Sequence, residues 1–370
     1  MTVGLYIHEP ESMMISDCLA LPTDSDVQLY SPSNIEFYDG TNGELATLVS
    51  KFIQADDRTL IAFAGAYRDI KEFVEGFLRL WSERDLSMRP MEYLHDLDYR
   101  LRQTRNSWSC SVLGASVLPA KPEDTHFTVN NYASLSENWT FDTNHFGKCF
   151  AVGSGSSELR KIIENTDTRL DQYGPMGENF LYETLGALNG AALFAQQEPV
   201  ENQKWGGLLQ CQIYNLKAQK WIRSPPWFHM CILYKGKELT FKGIHNKTVL
   251  HTNKLGDENA SAVVTHVMKG DGKRQMIIWP VYSPFLPEEQ RASMTLDDCF
   301  KIPNAITFTA FVEIDGSIKV NHRTYHVDAV KGVKFEKKGN EFATRINENE
   351  LAEWLRQRIL DDAGVSDFLN

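Results

Sequence analysis

The stretch from Lys51 to Phe73, KFIQADDRTLIAFAGAYRDIKEF, ties a lysine to a glycine through a charged turn, Asp56-Asp57-Arg58, and an apolar run from Leu60 to Ala64. Gly65 follows at the point where the pattern turns helical. An ammonium group held near a base lowers that base's proton affinity, and a backbone N–H at such a junction can hold developing negative charge. Other chemistries are poorly represented. The six cysteines, Cys18, Cys110, Cys149, Cys211, Cys231 and Cys299, are scattered without a C-x-x-C pair, so free thiols are expected rather than a zinc cluster or disulfide framework. His229, His245 and His251 lie in a β-rich region without metal-ligand spacing and read as polar or core histidines. The run GSGSSEL from Gly153 lacks the P-loop lysine and the dinucleotide fingerprint, and reads as a turn with a serine cap opening a helix. No cofactor and no metal are expected.

The elements that must position these residues follow from periodicity. Thr2 to Ile7 and Met13 to Asp17 form a β-hairpin around Glu9-Pro10-Glu11-Ser12. Cys18 to Gly43 is polar and reads as an insertion, and Glu44 to Phe52 is expected to carry a helical turn or two. Tyr67, Ile70, Phe73, Val74, Phe77 and Trp81 recur at three- and four-residue steps and predict a helix over Ala66 to Ser82. Pro90 opens a second helix with a stripe of Met91, Leu94, Leu97 and Leu101. Strands are predicted over Ser107 to Leu118 and Thr125 to Tyr132, helices from about Ser156 and over Gly177 to Gln196, and a strand over Gly207 to Tyr214. The remainder is mostly β, with strands over His229 to Tyr234, Ala262 to Met268, Gln275 to Trp279, Ile306 to Ile314 and Ser317 to Val320. Asp315-Gly316 is a hairpin turn, and Glu348 to Leu360 a closing amphipathic helix.

The chain has 370 residues, enough for about two domains. A net charge of −11 argues against nucleic acid and gives no reason to expect an anionic membrane surface. No apolar run approaches the roughly 18 residues of a membrane span, and the first residues lack the pattern of a signal peptide. A reducing cytoplasm is the expected compartment.

Hairpin, strand, two helices, strands, two helices, strands: this order is that of two antiparallel sheets with helices on both outer sides. On TVGL at 2–5, Asp17 closing the hairpin, the Lys51–Gly65 stretch and VGSGS at 152–156, the chain resembles the N-terminal nucleophile (Ntn) hydrolases. Within them it looks like the proteasome β-subunits and the bacterial proteasome-like peptidase, over roughly residues 2–216. The resemblance implies an α+β fold, a four-layer αββα sandwich of Ntn-hydrolase type spanning 1–220 with an insertion at about 18–50. Residues 221–370 form a mostly-β addition ending in a helix.

Such enzymes use an N-terminal threonine whose own α-amine takes the hydroxyl proton. A small residue after Met1 permits methionine removal, so Thr2 becomes the implied nucleophile. The resemblance further implies Asp17 as the partner of Lys51, Lys51 as the lysine that tunes the amine, Gly65 as the oxyanion N–H and Ser154 as a hydroxyl near the amine. Phe63 and Tyr67, flanking the glycine, are implied near the side-chain pocket, where their size favours small or moderate residues. The expected activity is a threonine-type peptidase or amide hydrolase acting on peptide or protein substrates. Self-association and an ATP-dependent unfoldase partner are implied by the same resemblance. A competing expectation is a catalytically inactive homologue serving as an assembly or binding module. It follows from the long Asp17–Lys51 segment, from Asn202 and Trp205 in ENQKWGG where the family has aspartate and serine, and from a register that puts Met1 at the nucleophile position.

Overall fold

The structure, a computed structural model, describes residues 3–7, 12–20, 29–32, 35, 43–84, 89–119, 127–134, 139–173, 205–206, 209–215, 218–223, 227–253, 261–268, 274–285, 305–338 and 341–360. Thr2, Asn202 and the expected helix over Gly177 to Gln196 lie outside these residues. The chain is mixed α+β.

It begins with β1 (Val3–Ile7) and β2 (Met13–Asp17), an antiparallel hairpin with Gly4 opposite Ser16. Four short strands follow: β3 (Leu19–Ala20), β4 (Leu29–Tyr30), β5 (Glu44–Leu45) and β6 (Thr47–Val49). β7 (Phe52–Asp56) and β8 (Thr59–Gly65) pair around the charged turn and lead into α1 (Tyr67–Ser82) and α2 (Pro90–Thr104). Then come β9 (Cys110–Pro119), β10 (Phe127–Ala133), β11 (Trp139–Thr143), β12 (Gly147–Gly153) and α3 (Ser156–Tyr173). β13 (Leu209–Asn215) and β14 (Lys220–Arg223) precede the long C-terminal strands β15 (Trp227–Lys235), β16 (Thr240–Asn253), β17 (Ser261–Met268) and β18 (Arg274–Tyr282). The chain continues through β19 (Ala305–Ile314), β20 (Ser317–His326), β21 (Val333–Lys338), β22 (Glu341–Ile346) and α4 (Glu348–Leu360).

Three sheets carry most of these strands. One has six strands in the order β11-β12-β1-β2-β13-β14, a second four in the order β10-β9-β8-β7, and a third eight in the order β20-β19-β15-β16-β17-β18-β6-β3. Strand β8 shows how the sequence builds the core. Its alternate residues Leu60, Ala62 and Ala64 join Met14, Val152 and Tyr214 in one buried cluster, while Ile61 and Phe63 join Phe73, Phe77 and Leu94 in another. A strand covered on both faces reads as a continuous apolar run, as Leu60 to Ala64 does. The stripe of α1 supplies the second cluster, and each fully buried phenylalanine there contributes about 1.5–3 kcal/mol of apolar burial. Helix α3 covers the six-stranded sheet through Leu159 and Ile163 against Cys149, Ala151, Cys211 and Ile213.

The turn at Asp315-Gly316 has φ of 49° and 78°, the two positive values a tight β-hairpin turn requires. The expected helical turns between Glu44 and Phe52 are corrected to strands. Thr47 and Val49 are β-branched, and the segment finds two sheet partners: Leu48 lies opposite Leu19 in β3 and opposite Val281 in β18. The segment between Asp17 and Lys51 thus contributes the last two strands of the eight-stranded sheet. Leu29, Tyr30 and Leu48 share a buried cluster with Ile277, Trp279 and Val281.

Candidate active site

Asp17 is the last residue of β2, and Lys51 stands between β6 and β7. Lys51 Nζ lies 2.8 Å from Asp17 Oδ1, and the two side chains are 5% and 0% exposed. The ammonium also donates to the Leu19 carbonyl at 2.6 Å. The second carboxylate oxygen of Asp17 accepts the Gly206 N–H at 3.0 Å, and the Gly206 carbonyl in turn accepts the Leu19 N–H at 3.0 Å. Asp17 therefore joins three segments far apart in sequence. An ammonium carries three donors, and the third of Lys51 has no acceptor among the described residues. Taking both ions out of water costs several kcal/mol each, which is recovered only by close pairing and further hydrogen bonds of this kind.

Gly65 is reached along the adjacent strand. The Phe63 N–H donates to the Lys51 carbonyl at 3.0 Å, so Lys51 faces a residue two positions before Gly65 across the β7–β8 ladder. Gly65 has φ +127°, and a Cβ built on it would lie 1.7 Å from the Ser109 carbonyl oxygen. That carbonyl accepts the Ala66 N–H at 2.8 Å, and the Ser109 N–H donates to Asp69 Oδ2 at 2.8 Å. Only glycine fits both the backbone conformation and the close approach.

Ser154 is exposed, one residue past Gly153, the partner of Val3 in the β1–β12 ladder. Next to it, Gly155 packs closely on the Trp205 side chain, with a built Cβ only 2.5 Å from two ring carbons. Trp205 is buried and precedes Gly206, whose N–H meets Asp17. Asp17 and Lys51 are thus in contact, Gly65 stands two residues along the neighbouring strand, and Ser154 joins them through Gly155, Trp205 and Gly206.

Sequence reasoning missed the Leu19 carbonyl, the Gly206 N–H, the Trp205–Gly155 packing and the Ser109 carbonyl that excludes a side chain at Gly65. Backbone donors and acceptors carry no residue signature. The one usable signal was the glycine pair closing ENQKWGG.

Against protein-family models and curated proteins, the chain finds no match. No helix among the described residues is long and apolar enough to cross a membrane.

A second buried polar cluster supports the same region. Asp98 of α2, 1% exposed, receives Arg102 Nε at 3.0 Å on each of its oxygens. The Tyr132 hydroxyl donates to Asp98 Oδ2 at 2.6 Å and the Ser134 hydroxyl at 3.0 Å. Arg102 reaches on to the Cys110 carbonyl, and Cys110 is the ladder partner of Gly65. Burial, and then the hydrogen bond to the charged Asp98, push the Tyr132 hydroxyl well above its ordinary value. The folded state therefore keeps this proton where the unfolded chain, with a phenol near pKa 10, releases it. Stability from this group is fully present below about pH 10 and is lost as pH rises further. Tyr132→Phe should cost about 1.5–3 kcal/mol at neutral pH and flatten the alkaline fall. Urea unfolding from pH 7 to pH 11 tests both; an unchanged alkaline slope would count against this role for Tyr132.

Proposed function

We propose that this chain is an N-terminal-threonine hydrolase of the proteasome-like Ntn class, acting on peptide or other amide bonds. The observation that carries the reading is the buried Lys51–Asp17 pair at the end of the β1–β2 hairpin. Covalent geometry keeps Thr2 within one peptide unit of Val3, whose ladder partner Gly153 precedes Ser154. The fold lends support in its order of packing: α1 and α2 on the four-stranded sheet, that sheet against the six-stranded one, and α3 beyond. In this reading those layers form the four-layer αββα sandwich that the resemblance implies.

In this reading, removal of Met1 frees the Thr2 α-amine. The Thr2 hydroxyl attacks the substrate carbonyl while the amine takes its proton. Lys51, held by Asp17, lowers the amine's proton affinity so that more of it is neutral at physiological pH. The Gly65 N–H donates to the oxyanion, and the Ser154 hydroxyl orients the amine. The amine returns the proton to the leaving nitrogen, and water then releases the acyl group from Thr2. Self-association into a proteasome-like assembly belongs to the same proposal.

Intact-mass measurement of the purified protein, followed by a threonine-directed electrophile, tests it. Loss of Met1 and one covalent adduct, absent in Thr2→Ala, are expected. Retained Met1 with no adduct would sink the enzyme reading. The catalytically inactive homologue is favoured by one observation, Trp205, whose bulk fills the place beside Gly155 where the family carries a serine.

A further inference from the structure

The C-terminal region reaches the candidate site through the end of β18. Val281 and Tyr282 pair in parallel with Leu48 and Val49, and the Ser50 N–H donates to the Tyr282 carbonyl at 2.6 Å. The next residue is Lys51. Beyond Tyr282 the chain passes Ser283 and Pro284 and delivers Phe285, 8% exposed, into the cluster formed by Val49, Ile53, Phe63 and Ile70. Its ring centroid lies 6.1 Å from that of Phe63 and 5.6 Å from that of Tyr67. These two residues stand two positions before and two after Gly65. Phe63 is fully buried, whereas Tyr67 is 54% exposed, so this aromatic group opens to solvent on the Tyr67 side. The side chain that packs on both comes from more than 200 residues further on.

We infer that Phe285 fills the side-chain pocket between Phe63 and Tyr67 and thereby determines which residue the site accepts; as a statement about substrate it rests on the hydrolase reading above. With Phe285 in place, a small side chain is accommodated beside Gly65 and an aromatic one is excluded. The C-terminal region is then a part of the site rather than an appendage. Cutting a buried phenylalanine back to alanine leaves an apolar space on the order of 150 Å³, enough for a benzene-sized ring.

The test uses the full chain and Phe285→Ala, titrated with N-acetyl-phenylalaninamide and N-acetyl-alaninamide by calorimetry. The variant should bind the phenylalanine amide about tenfold or more tightly than the wild type does, with the alanine amide little changed. Equal binding of the phenylalanine amide by both proteins, or binding by neither, overturns the inference. Threonine-directed electrophiles with alanine or phenylalanine side chains supply the second readout. A binding switch without any adduct retains the pocket and removes the hydrolase reading. An adduct whose alanine-to-phenylalanine preference is unchanged by Phe285→Ala retains the hydrolase and removes the pocket. Where Phe285→Ala does not fold, Tyr67→Ala opens the same space from its solvent side, and the same shift toward the phenylalanine amide is expected; no shift overturns the inference.

Discussion

Asp17→Ala is expected to destabilise the protein by about 3–5 kcal/mol, because it strands a buried ammonium. Lys51 would keep the Leu19 carbonyl as an acceptor but lose the carboxylate at 2.8 Å, in a position where its side chain is 5% exposed. The Gly206 N–H would lose its acceptor in the same step, which places the loss toward the upper end of that range. Water cannot easily replace either contact, since Leu19, Ser50 and Cys18 around the pair are themselves buried. The double variant Asp17→Leu with Lys51→Met should be far less damaged than the sum of its parts, since a buried ion pair exchanged for apolar residues of similar size is often nearly neutral. Urea unfolding of the four proteins in the cycle measures the coupling. A loss below about 1 kcal/mol for Asp17→Ala, the value of an exposed pair, would show that solvent reaches the site. The cycle also separates stability from chemistry. The double variant should fold and yet give no adduct at Thr2, because the lysine that tunes the amine is gone.

Gly65→Ala should be nearly as severe, for reasons that do not involve charge. The residue sits at φ +127°, where a side chain is strained by about 1–3 kcal/mol. Its Cβ would meet the Ser109 carbonyl oxygen at 1.7 Å, and a contact that short cannot be relieved by a rotamer change because the backbone fixes the Cβ and its neighbour is a main-chain oxygen. The Ser109 segment is also held from the other side. Its N–H is bound to Asp69, its carbonyl to the Ala66 N–H, and the following Cys110 carbonyl to Arg102. Overpacking of this kind adds about 1–3 kcal/mol, so a total loss of about 2–6 kcal/mol is expected by chemical denaturation. A variant that unfolds with the wild-type midpoint would mean that the β8–α1 junction relaxes freely. It would then be a poor place for an oriented N–H, and the role given to Gly65 would fall with it.

The two effects differ in how well the sequence announced them. Gly65 was visible as the residue where a continuous apolar run gives way to a helical stripe, and a glycine there reads as backbone punctuation. That its neighbour would be the Ser109 carbonyl was not visible, because a main-chain oxygen is common to every residue type. Asp17 and Lys51 were linked in the sequence only through resemblance to a family. Their 34-residue separation has no periodicity to exploit, and the polar stretch between them resembles a surface insertion. The turn expected between Glu44 and Phe52 failed for a related reason. A run of nine residues is too short for periodicity to separate helix from strand, and pairing with β3 and β18 decided the matter.

Local periodicity was enough to assign most of the elements: the stripe of α1, Pro90 at the start of α2, the Asp315-Gly316 turn and the limits of α4 all follow from residues within a few positions of one another. Residue types alone also supplied the chemical vocabulary, with a lysine, an aspartate, a glycine and hydroxyls but no metal-ligand spacing. The meeting of Asp17 with Lys51 and Gly206, the seating of Trp205 on Gly155, the completion of the eight-stranded sheet by β6 and β3, and the arrival of Phe285 between Phe63 and Tyr67 belong to the tertiary structure. The physical reason is one of range. Secondary-structure period is written into neighbouring side chains, whereas these contacts are made by backbone groups and packed surfaces that come together only when distant segments share one core.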